Sequence, residues 1–383
     1  MKLLHLINLQ GFGGAERIFI EYLKNSSFDN EILCTSNVIN KHIASELSHF
    51  KINYANYIGS TSIKYPTFLR KLILNNKIKN RKADITIVWD FVPRLIRKPK
   101  GTTFIYYDHG CSWRYPLNNR TNNFINMLDG AISISNASKR VMELRFSPSF
   151  EIKKVLNRLP ISTVSYTKNI KNDKTIILGT ASRLTDIKGI GIAILTTIEM
   201  LKKGIDTNLI IAGDGEQKKA LKNLATNLKL DKNIDFIGYQ SNMDGFYSDI
   251  DIYISTAITE PFGLSCIEAL SHGIPVVYPL IDGQPEAIKN DFCGIGIKPT
   301  YLIDEYYKET GLNVDFPYEV YDPIDDRMTT PKLLNPTELA FAIIKVIATY
   351  DSLSKNALEW SKQTMDYNLF IKEFENSLKA ISQ

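Results

Sequence analysis

Short apolar runs alternate along the chain with longer stretches of mixed polarity. Runs rich in Ile, Val and Tyr predict β-strands at residues 2–9, 30–36, 83–90, 102–108 and 129–135, and again at 174–182, 207–213, 233–239, 251–256 and 273–279. The stretches between them leave room for helices. This alternation is typical of parallel sheets that are connected by crossover helices.

Two series of strands, each within about 170 residues, predict two doubly wound α/β domains. The polar segment 160–174 is the expected connection, which places the first domain at 1–168 and the second at 169–365. Ligands of open parallel sheets bind outside the carboxyl ends of the strands. Functional residues are therefore expected in the loops that follow the strands.

The composition is that of a globular protein, but its charge is divided unevenly. The 383 residues are 44% hydrophobic and 23% charged. Residues 1–170 contain 25 lysines and arginines against 11 acidic residues, whereas residues 171–383 contain 21 against 30. The basic half is therefore suited to an acidic polymer or an anionic membrane surface.

The cysteines and the first residues indicate a cytoplasmic location. The four cysteines have neither metal-ligand spacing nor the density of a disulfide framework, which fits a reducing compartment; they are Cys34, Cys111, Cys266 and Cys293. Residues 1–14 lack the pattern of a signal peptide, and no apolar run approaches the roughly 20 residues of a spanning helix. We expect peripheral contact with a membrane at most.

Glycines follow the first strand of the first predicted domain, and cations follow the first strand of the second. Gly13 and Gly14 precede a helix that is expected from about Ala15, whose free amides suit a phosphate. Their spacing is not that of the dinucleotide fingerprint, and the alternative is a turn needed only for chain reversal. Arg183 and Lys188 suit a diphosphate at a strand-to-helix junction, unless they are ordinary surface charges.

Two later strand ends carry further candidates. Gly213, Asp214 and Gly215 close one strand, where glycine permits a base or a sugar to approach closely. Phe236, near the end of the next strand, could form a hydrophobic wall, although core packing is its usual role.

The run EPFGLSCIE at 260–268 places two glutamates around a predicted helix start. Phe262, Gly263 and Leu264 would form the first turn after a proline and expose amides that suit a diphosphate. Glu260 and Glu268 would then accept hydrogen bonds from hydroxyl groups on either side of it. The alternative is a helix cap and a solvated residue, which the apolar sequence around Glu268 disfavours.

These motifs together resemble retaining glycosyltransferase family 4. The run at 260–268 resembles the E-x7-E signature, and GGAER, the Arg183–Lys188 pair, GDG and F-x-G occur in the family's order. The resemblance implies the GT-B fold, an α/β fold with two Rossmann-like domains facing across a cleft. It also implies that the last helix, at about 366–383, returns to the N-terminal, acceptor-binding domain.

The resemblance implies a role for each matched residue. Glu260 would contact the transferred sugar, and Arg183 and Lys188 would contact the diphosphate. His109 would lie near the donor sugar, which makes these four the candidate catalytic residues. The donor-binding candidates are Glu268 on the ribose diol, together with Gly13, Gly14, Gly213, Asp214, Gly215, Phe236, Phe262, Gly263 and Leu264.

The implied function is transfer of a hexose from a nucleotide diphosphate, expected to be a UDP-sugar, with retention of the anomeric configuration. No cofactor and no metal are expected, because cations and amides would stabilise the leaving diphosphate. The expected acceptor is a saccharide, lipid-linked, in bacterial-type surface polysaccharide or lipopolysaccharide synthesis. The alternative is a nucleotide-sugar-binding or epimerising protein of the same fold.

Two segments depart from the family pattern. Members commonly have G-G-x-x-E after the PVV strand, but here Asp282 replaces the first glycine while Glu286 is retained, which leaves the sugar open. Residues 299–334 are longer than the usual connection to a helix near Thr337. This insertion could cover the donor, contact the acceptor or mediate self-association.

Basic segments in the first domain predict contact with a membrane surface. Residues 64–82 contain seven cations and no acid together with apolar positions, and residues 94–100 add four cations. A basic amphipathic helix is typical of an anionic membrane surface. The alternative is a solvated helix that packs on its own sheet. We expect no nucleic-acid partner.

Two other enzyme classes fit the sequence less well. Asp249 and Asp251 form the D-x-D of a metal-dependent transferase, but they precede an apolar strand, where aspartate is commonly a turn or cap residue. An NAD-dependent oxidoreductase would require an acidic residue at the end of the second strand, which this chain lacks.

Overall fold

The computed structural model of the chain describes residues 1–11, 13–63, 65–160, 175–315 and 318–383. Contacts divide the chain into two units: Met1–Pro160 with Asp366–Gln383, and Ile161–Met365. The predicted domain boundary after residue 168 lies outside the described residues. Each unit is an α/β structure around a parallel sheet, which confirms the predicted fold class.

The sheet of the first unit has the order β3-β2-β1-β6-β7-β8-β9. Strands are added on one side of β1 as far as β3, and then on its other side from β6 onwards, so the strand order reverses between β1 and β6. All the strand pairs of this sheet are parallel. The strands are β1 Lys2–Ile7, β2 Asp29–Cys34, β3 Ile52–Tyr54, β6 Ile85–Trp89, β7 Thr103–Asp108, β8 Gly130–Ser133 and β9 Ile152–Lys154, with a separate pair of β4 Tyr57–Ile58 and β5 Thr61–Ser62. The helices are α1 Gly14–Asn25, α2 Thr67–Arg81, α3 Asn119–Ile125 and α4 Asn136–Phe146.

The sheet of the second unit has the order β12-β11-β10-β13-β14-β15 and reverses between β10 and β13. The strands are β10 Ile176–Ala181, β11 Thr207–Ala212, β12 Ile234–Gly238, β13 Ile252–Ile254, β14 Val276–Pro279 and β15 Gly294–Ile297, with an antiparallel hairpin of β16 Val320–Asp322 and β17 Arg327–Thr329. The helices are α5 Ile190–Lys202, α6 Lys218–Asn227, α7 Asp244–Asp249, α8 Leu264–Ser271, α9 Gln284–Ala287, α10 Ile303–Thr310, α11 Pro336–Ala348 and α12 Tyr350–Thr364.

The last helix, α13 Tyr367–Ser382, belongs to the first unit. Phe374 is buried against Tyr22 and Tyr107, with ring centroids 4.9 and 4.8 Å away. The Glu375 carboxylate accepts hydrogen bonds from Ser26 and Ser27 at the end of α1. Apolar burial and polar contacts thus both hold this helix to the first unit. Among the described residues, no helix combines the length and the apolar character needed to cross a membrane.

A buried polar chain joins the central strands of the first unit. The Trp89 indole N–H donates to Nδ1 of His5 at 3.0 Å. The other ring nitrogen of His5, Nε2, therefore carries the hydrogen and donates to Asn30 Oδ1 at 2.8 Å. Burial lowers the pKa of His5 to about 4, so the ring is neutral near pH 7.

Two glycines fix the loop that follows β10. A Cβ on Gly213 would lie 1.8 Å from the Ser182 carbonyl oxygen, and one on Gly215 would lie 2.4 Å from that of Leu184. The Leu184 amide donates to the Asp214 carbonyl at 2.9 Å. The glycines of the GDG motif are therefore required here by the backbone of residues 182–184, which includes Arg183.

Replacement of Gly213 by alanine should lower the free energy of unfolding by roughly 2–4 kcal/mol, because the methyl group would collide with a backbone carbonyl that cannot rotate away. Gly204→Ala is the matched control. Gly204 also has a positive φ, +77°, but its Cβ would meet nothing within 4 Å. That variant should lose only about 1–2 kcal/mol. Equal losses in denaturant unfolding would contradict the packing argument.

Candidate active site

The candidate site lies where the sheet of the second unit reverses. The loop after β10 contains Arg183 and Lys188, and the loop after β13 contains Glu260. Because β10 and β13 are adjacent and parallel, both loops leave the same edge of the sheet. Such a reversal point opens a crevice between the two outgoing loops, where ligands of this class of sheet bind.

A short ion pair joins these two loops. Lys188 Nζ lies 2.6 Å from Glu260 Oε2, with side chains 18% and 19% exposed. Thr256 Oγ1 donates to the Lys188 carbonyl at 2.9 Å, and a Cβ on Gly189 would lie 2.4 Å from the Thr256 carbonyl oxygen. The turn that presents Lys188 is thus packed directly against the loop that presents Glu260.

Arg183 supplies a second cation on the same loop as Lys188. Its side chain is exposed. Among the described residues, no hydrogen bond or ion pair engages its guanidinium group. The loop therefore offers one paired and one unpaired cation, a combination that suits an anionic ligand.

Helix α8 begins later than the sequence predicts. Its first residue is Leu264, and Gly263 precedes it with a φ of +99° in the region that favours glycine. Phe262 is buried outside the helix, so its predicted place in the first turn is wrong. Cys266 and Ile267 donate to the Gly263 carbonyl. The amides of Leu264 and Ser265 therefore precede the first intrahelical bonds and are the ones suited to an anion.

Glu268 is buried on α8 rather than solvated. Only 6% of the residue is exposed, and its Oε2 accepts a hydrogen bond from the Tyr247 hydroxyl at 2.9 Å. A fixed, buried carboxylate of this kind can bind a hydroxyl group. Phe236 is half-buried against the core of the second unit, with Lys222 Nζ 5.6 Å from its ring centroid.

Asp282, which follows β14, was not among the predicted site residues. It is 1% exposed and has a φ of +49°, which explains why a glycine suits this position. Its Oδ2 accepts from the Glu260 amide at 2.9 Å and from Thr259 Oγ1 at 2.6 Å. The only signal for it in the sequence is the departure from the glycine pattern.

Besides the GDG loop of the second unit, the remaining candidates are His109, Gly13 and Gly14 of the first unit. His109 follows β7, and its ring stacks on Trp89 with the centroids 5.6 Å apart. Its backbone amide donates to Asp90 Oδ1 at 2.7 Å, whereas its buried Nε2 has no hydrogen-bond partner among the described residues. Burial lowers the pKa of His109 to about 3, so the ring is neutral near pH 7. Gly14 is the first residue of α1, and Gly13 precedes it in extended conformation.

The D-x-D motif, Asp249 to Asp251, lies away from this site. Asp251 precedes β13 at the amino end of the strand, and its buried carboxylate accepts a hydrogen bond from the Ile177 amide at 2.9 Å. It therefore lies at the amino ends of β10 and β13, whereas Glu260 follows the carboxyl end of β13. Within the described ranges, no group of three or more His, Cys, Asp or Glu residues is arranged to hold a metal ion.

Comparisons with known proteins relate the sequence of the second unit to glycosyltransferases. Residues 165–309 match the family model of the group 1 glycosyl transferases. The O-antigen biosynthesis glycosyltransferase WclY from Escherichia coli is 31% identical over 169 residues, which cover 43% of this chain and 46% of WclY. The chain thus aligns with less than half the length of that relative.

Solved structures match the whole chain. A glycosyltransferase from Rickettsia africae superimposes with a TM-score of 0.71 and 19% identity over 99% of this chain and 98% of that one. HepE from Anabaena, crystallised in complex with UDP-glucose, superimposes with a TM-score of 0.72 and 18% identity over 99% of this chain and 100% of HepE. The chain therefore has the GT-B fold, and its residues 165–309 are similar to the group 1 glycosyl transferases.

Proposed function

We propose that this chain is a retaining, metal-independent glycosyltransferase that moves a sugar from a UDP-sugar to a saccharide acceptor. The Lys188–Glu260 pair beside the first amides of α8 carries this proposal. The match to the group 1 glycosyl transferases supports sugar transfer, and the UDP-glucose bound by HepE supports the class of donor. The relation to WclY supports a role in surface polysaccharide synthesis.

The leaving diphosphate sets the chemistry of the site. When the bond between the anomeric carbon and the diphosphate oxygen breaks, negative charge develops on the diphosphate. Arg183, Lys188 and the amides of Leu264 and Ser265 would stabilise that charge. Donors positioned in this way often contribute about 3–4 kcal/mol each in a transition state. These groups supply the electrostatic stabilisation that a metal ion provides in other transferases.

The carboxylates bind rather than attack in this proposal. Glu260 would accept hydrogen bonds from hydroxyl groups of the transferred sugar, held in place by Lys188. Glu268, oriented by Tyr247, would hold the ribose diol. Retention then follows from a front-face reaction: the acceptor oxygen bonds to the anomeric carbon as the diphosphate leaves, and the acceptor proton passes to a phosphate oxygen. His109, neutral near pH 7, would lie near the donor sugar without adding charge.

The acceptor proposal rests on the basic surface of the first unit, formed by α2 and residues 94–100. Only Leu74 and Ile78 of α2 are buried, whereas Phe68 is 62% exposed and Leu72 is 36% exposed. Asn75 joins the two segments, because it donates to the Arg97 carbonyl and accepts from the Ile96 amide. Cations next to exposed apolar side chains suit an anionic membrane. We propose peripheral binding on the cytoplasmic face, where a lipid-linked saccharide would be the acceptor.

A nucleotide-sugar-binding or epimerising protein is the second candidate, since the same site would hold the same donor. Acceptor-dependent release of nucleoside diphosphate separates transfer from binding and from epimerisation. A panel of nucleotide-sugars, assayed with and without EDTA, identifies the donor. Loss of turnover in EDTA would overturn the proposed metal independence.

Glu260→Ala and Lys188→Ala should each lower sugar transfer by roughly 100-fold or more without unfolding the protein, because each removes a group that contacts the reacting part of the donor. The matched controls are Glu199→Ala and Lys202→Ala, which break an ion pair of 2.7 Å on α5 in the same unit. These controls should retain wild-type turnover. Near-normal turnover in both site variants would refute the proposed site.

Binding to vesicles tests the basic surface. The chain should float with vesicles of anionic lipid at low salt, dissociate at high salt, and remain unbound with purely zwitterionic lipid. Phe68→Ser combined with Lys71→Glu should reduce flotation, because it removes an exposed apolar side chain and reverses a charge. Lys219→Glu on α6 of the second unit is the charge control. Failure of the wild type to float with anionic vesicles at low salt would refute membrane binding and leave the catalytic proposal intact.

A further inference from the structure

Three loops of the second unit meet at the buried carboxylate of Asp282. Its Oδ2 accepts from the Glu260 amide and from Thr259 Oγ1, in the loop after β13. Its Oδ1 accepts from the Tyr321 amide of β16 at 2.8 Å. Backbone hydrogen bonds connect the same three segments. The Asp282 amide donates to the Tyr321 carbonyl, and the Gly283 amide donates to the Glu260 carbonyl.

We propose that Asp282 is a positioning residue for Glu260 and that it makes the β16–β17 hairpin part of the same rigid support. This inference rests on the proposed function, because it assigns Asp282 to the residue that would contact the sugar. It also gives a role to β16, which lies within the insertion at 299–334. The Tyr321 amide of β16 holds the Asp282 carboxylate, which in turn holds the loop that carries Glu260.

The hydrogen bonds made by Asp282 require a side chain that accepts at both of its terminal atoms. A backbone N–H faces each oxygen of Asp282, that of Tyr321 on one side and that of Glu260 on the other. An asparagine would turn its NH2 group towards one of these donors in either orientation, and that donor would lose its acceptor. Because the carboxylate is 1% exposed, no bulk water is available to replace the lost bond.

Because Asp282 has a positive φ, the role of its carboxylate can be tested with variants that keep this backbone conformation. Asparagine tolerates the left-handed region about as well as aspartate, and glycine tolerates it better. Asp282→Asn and Asp282→Gly therefore both keep the backbone conformation and remove acceptor capacity. Asp322→Asn is the matched control: Asp322 is 8% exposed in β16, next to Tyr321, and its carboxylate accepts from the amides of Ile324 and Asp325 within the hairpin.

The first readout is kinetic. Both Asp282 variants should lower kcat by roughly 10- to 100-fold, the effect expected of a small displacement of a contact group. Their Kd for UDP should stay within about twofold of wild type, because the cations and the α8 amides that would bind the diphosphate are unchanged. Asp322→Asn should behave as wild type. A kcat within twofold of wild type in the folded Asp282 variants would overturn the inference, and so would a parallel loss of UDP affinity.

The second readout does not depend on turnover. Hydrogen exchange should become faster in the peptides that contain Glu260 and Tyr321 in Asp282→Asn, but not in Asp322→Asn. If neither peptide changes, the inference is overturned. If the Asp282 variants do not fold, Thr259→Val keeps the carboxylate, removes one of its donors, and should lower kcat without changing the Kd for UDP. A wild-type chain without turnover overturns the proposed function, and the exchange comparison then decides the inference alone.

Discussion

The ion pair between Lys188 and Glu260 is the interaction on which the site depends. Neither residue is near the other in the chain, yet their side-chain atoms lie 2.6 Å apart because β10 and β13 are neighbours in a parallel sheet that reverses between them. Two contacts fix the loops that carry the pair: Gly189 packs on the Thr256 carbonyl, and the Glu260 amide donates to the Asp282 carboxylate. A rigid pair of this kind can bind a ligand without first being ordered.

The charges of the candidate site would suit a ligand with an anionic centre and neutral, hydroxyl-rich ends. Arg183, Lys188 and the start of α8 would surround the anionic diphosphate, while Glu260 and Glu268 would accept from hydroxyl groups. In the first unit, burial lowers the pKa of His109 to about 3, so this ring adds no positive charge near pH 7. The Lys188–Glu260 contact is consistent with the binding role proposed for Glu260, since this carboxylate is already engaged by a cation.

The sequence predicted the long buried strands well and the local geometry of the site less well. Strands such as β6 are apolar on both faces, so their pattern marks them clearly. The short strands β3, β9 and β15 carry too few apolar residues for a periodic signal and were missed. The start of α8 was predicted too early, because only coordinates reveal that Gly263 has a left-handed conformation. The candidate residues of the loops after β10 and β13 were found from motifs, whereas Asp282 required contacts with residues 22 and 39 positions away.

A crystal structure of the chain with bound UDP tests the central claim most directly. The account predicts that the diphosphate lies within hydrogen-bond distance of Lys188 Nζ, of the Arg183 guanidinium group and of the first amides of α8, with a ribose hydroxyl on Glu268. A diphosphate bound elsewhere, or an Arg183 side chain that still points into solvent beside an occupied site, would contradict it.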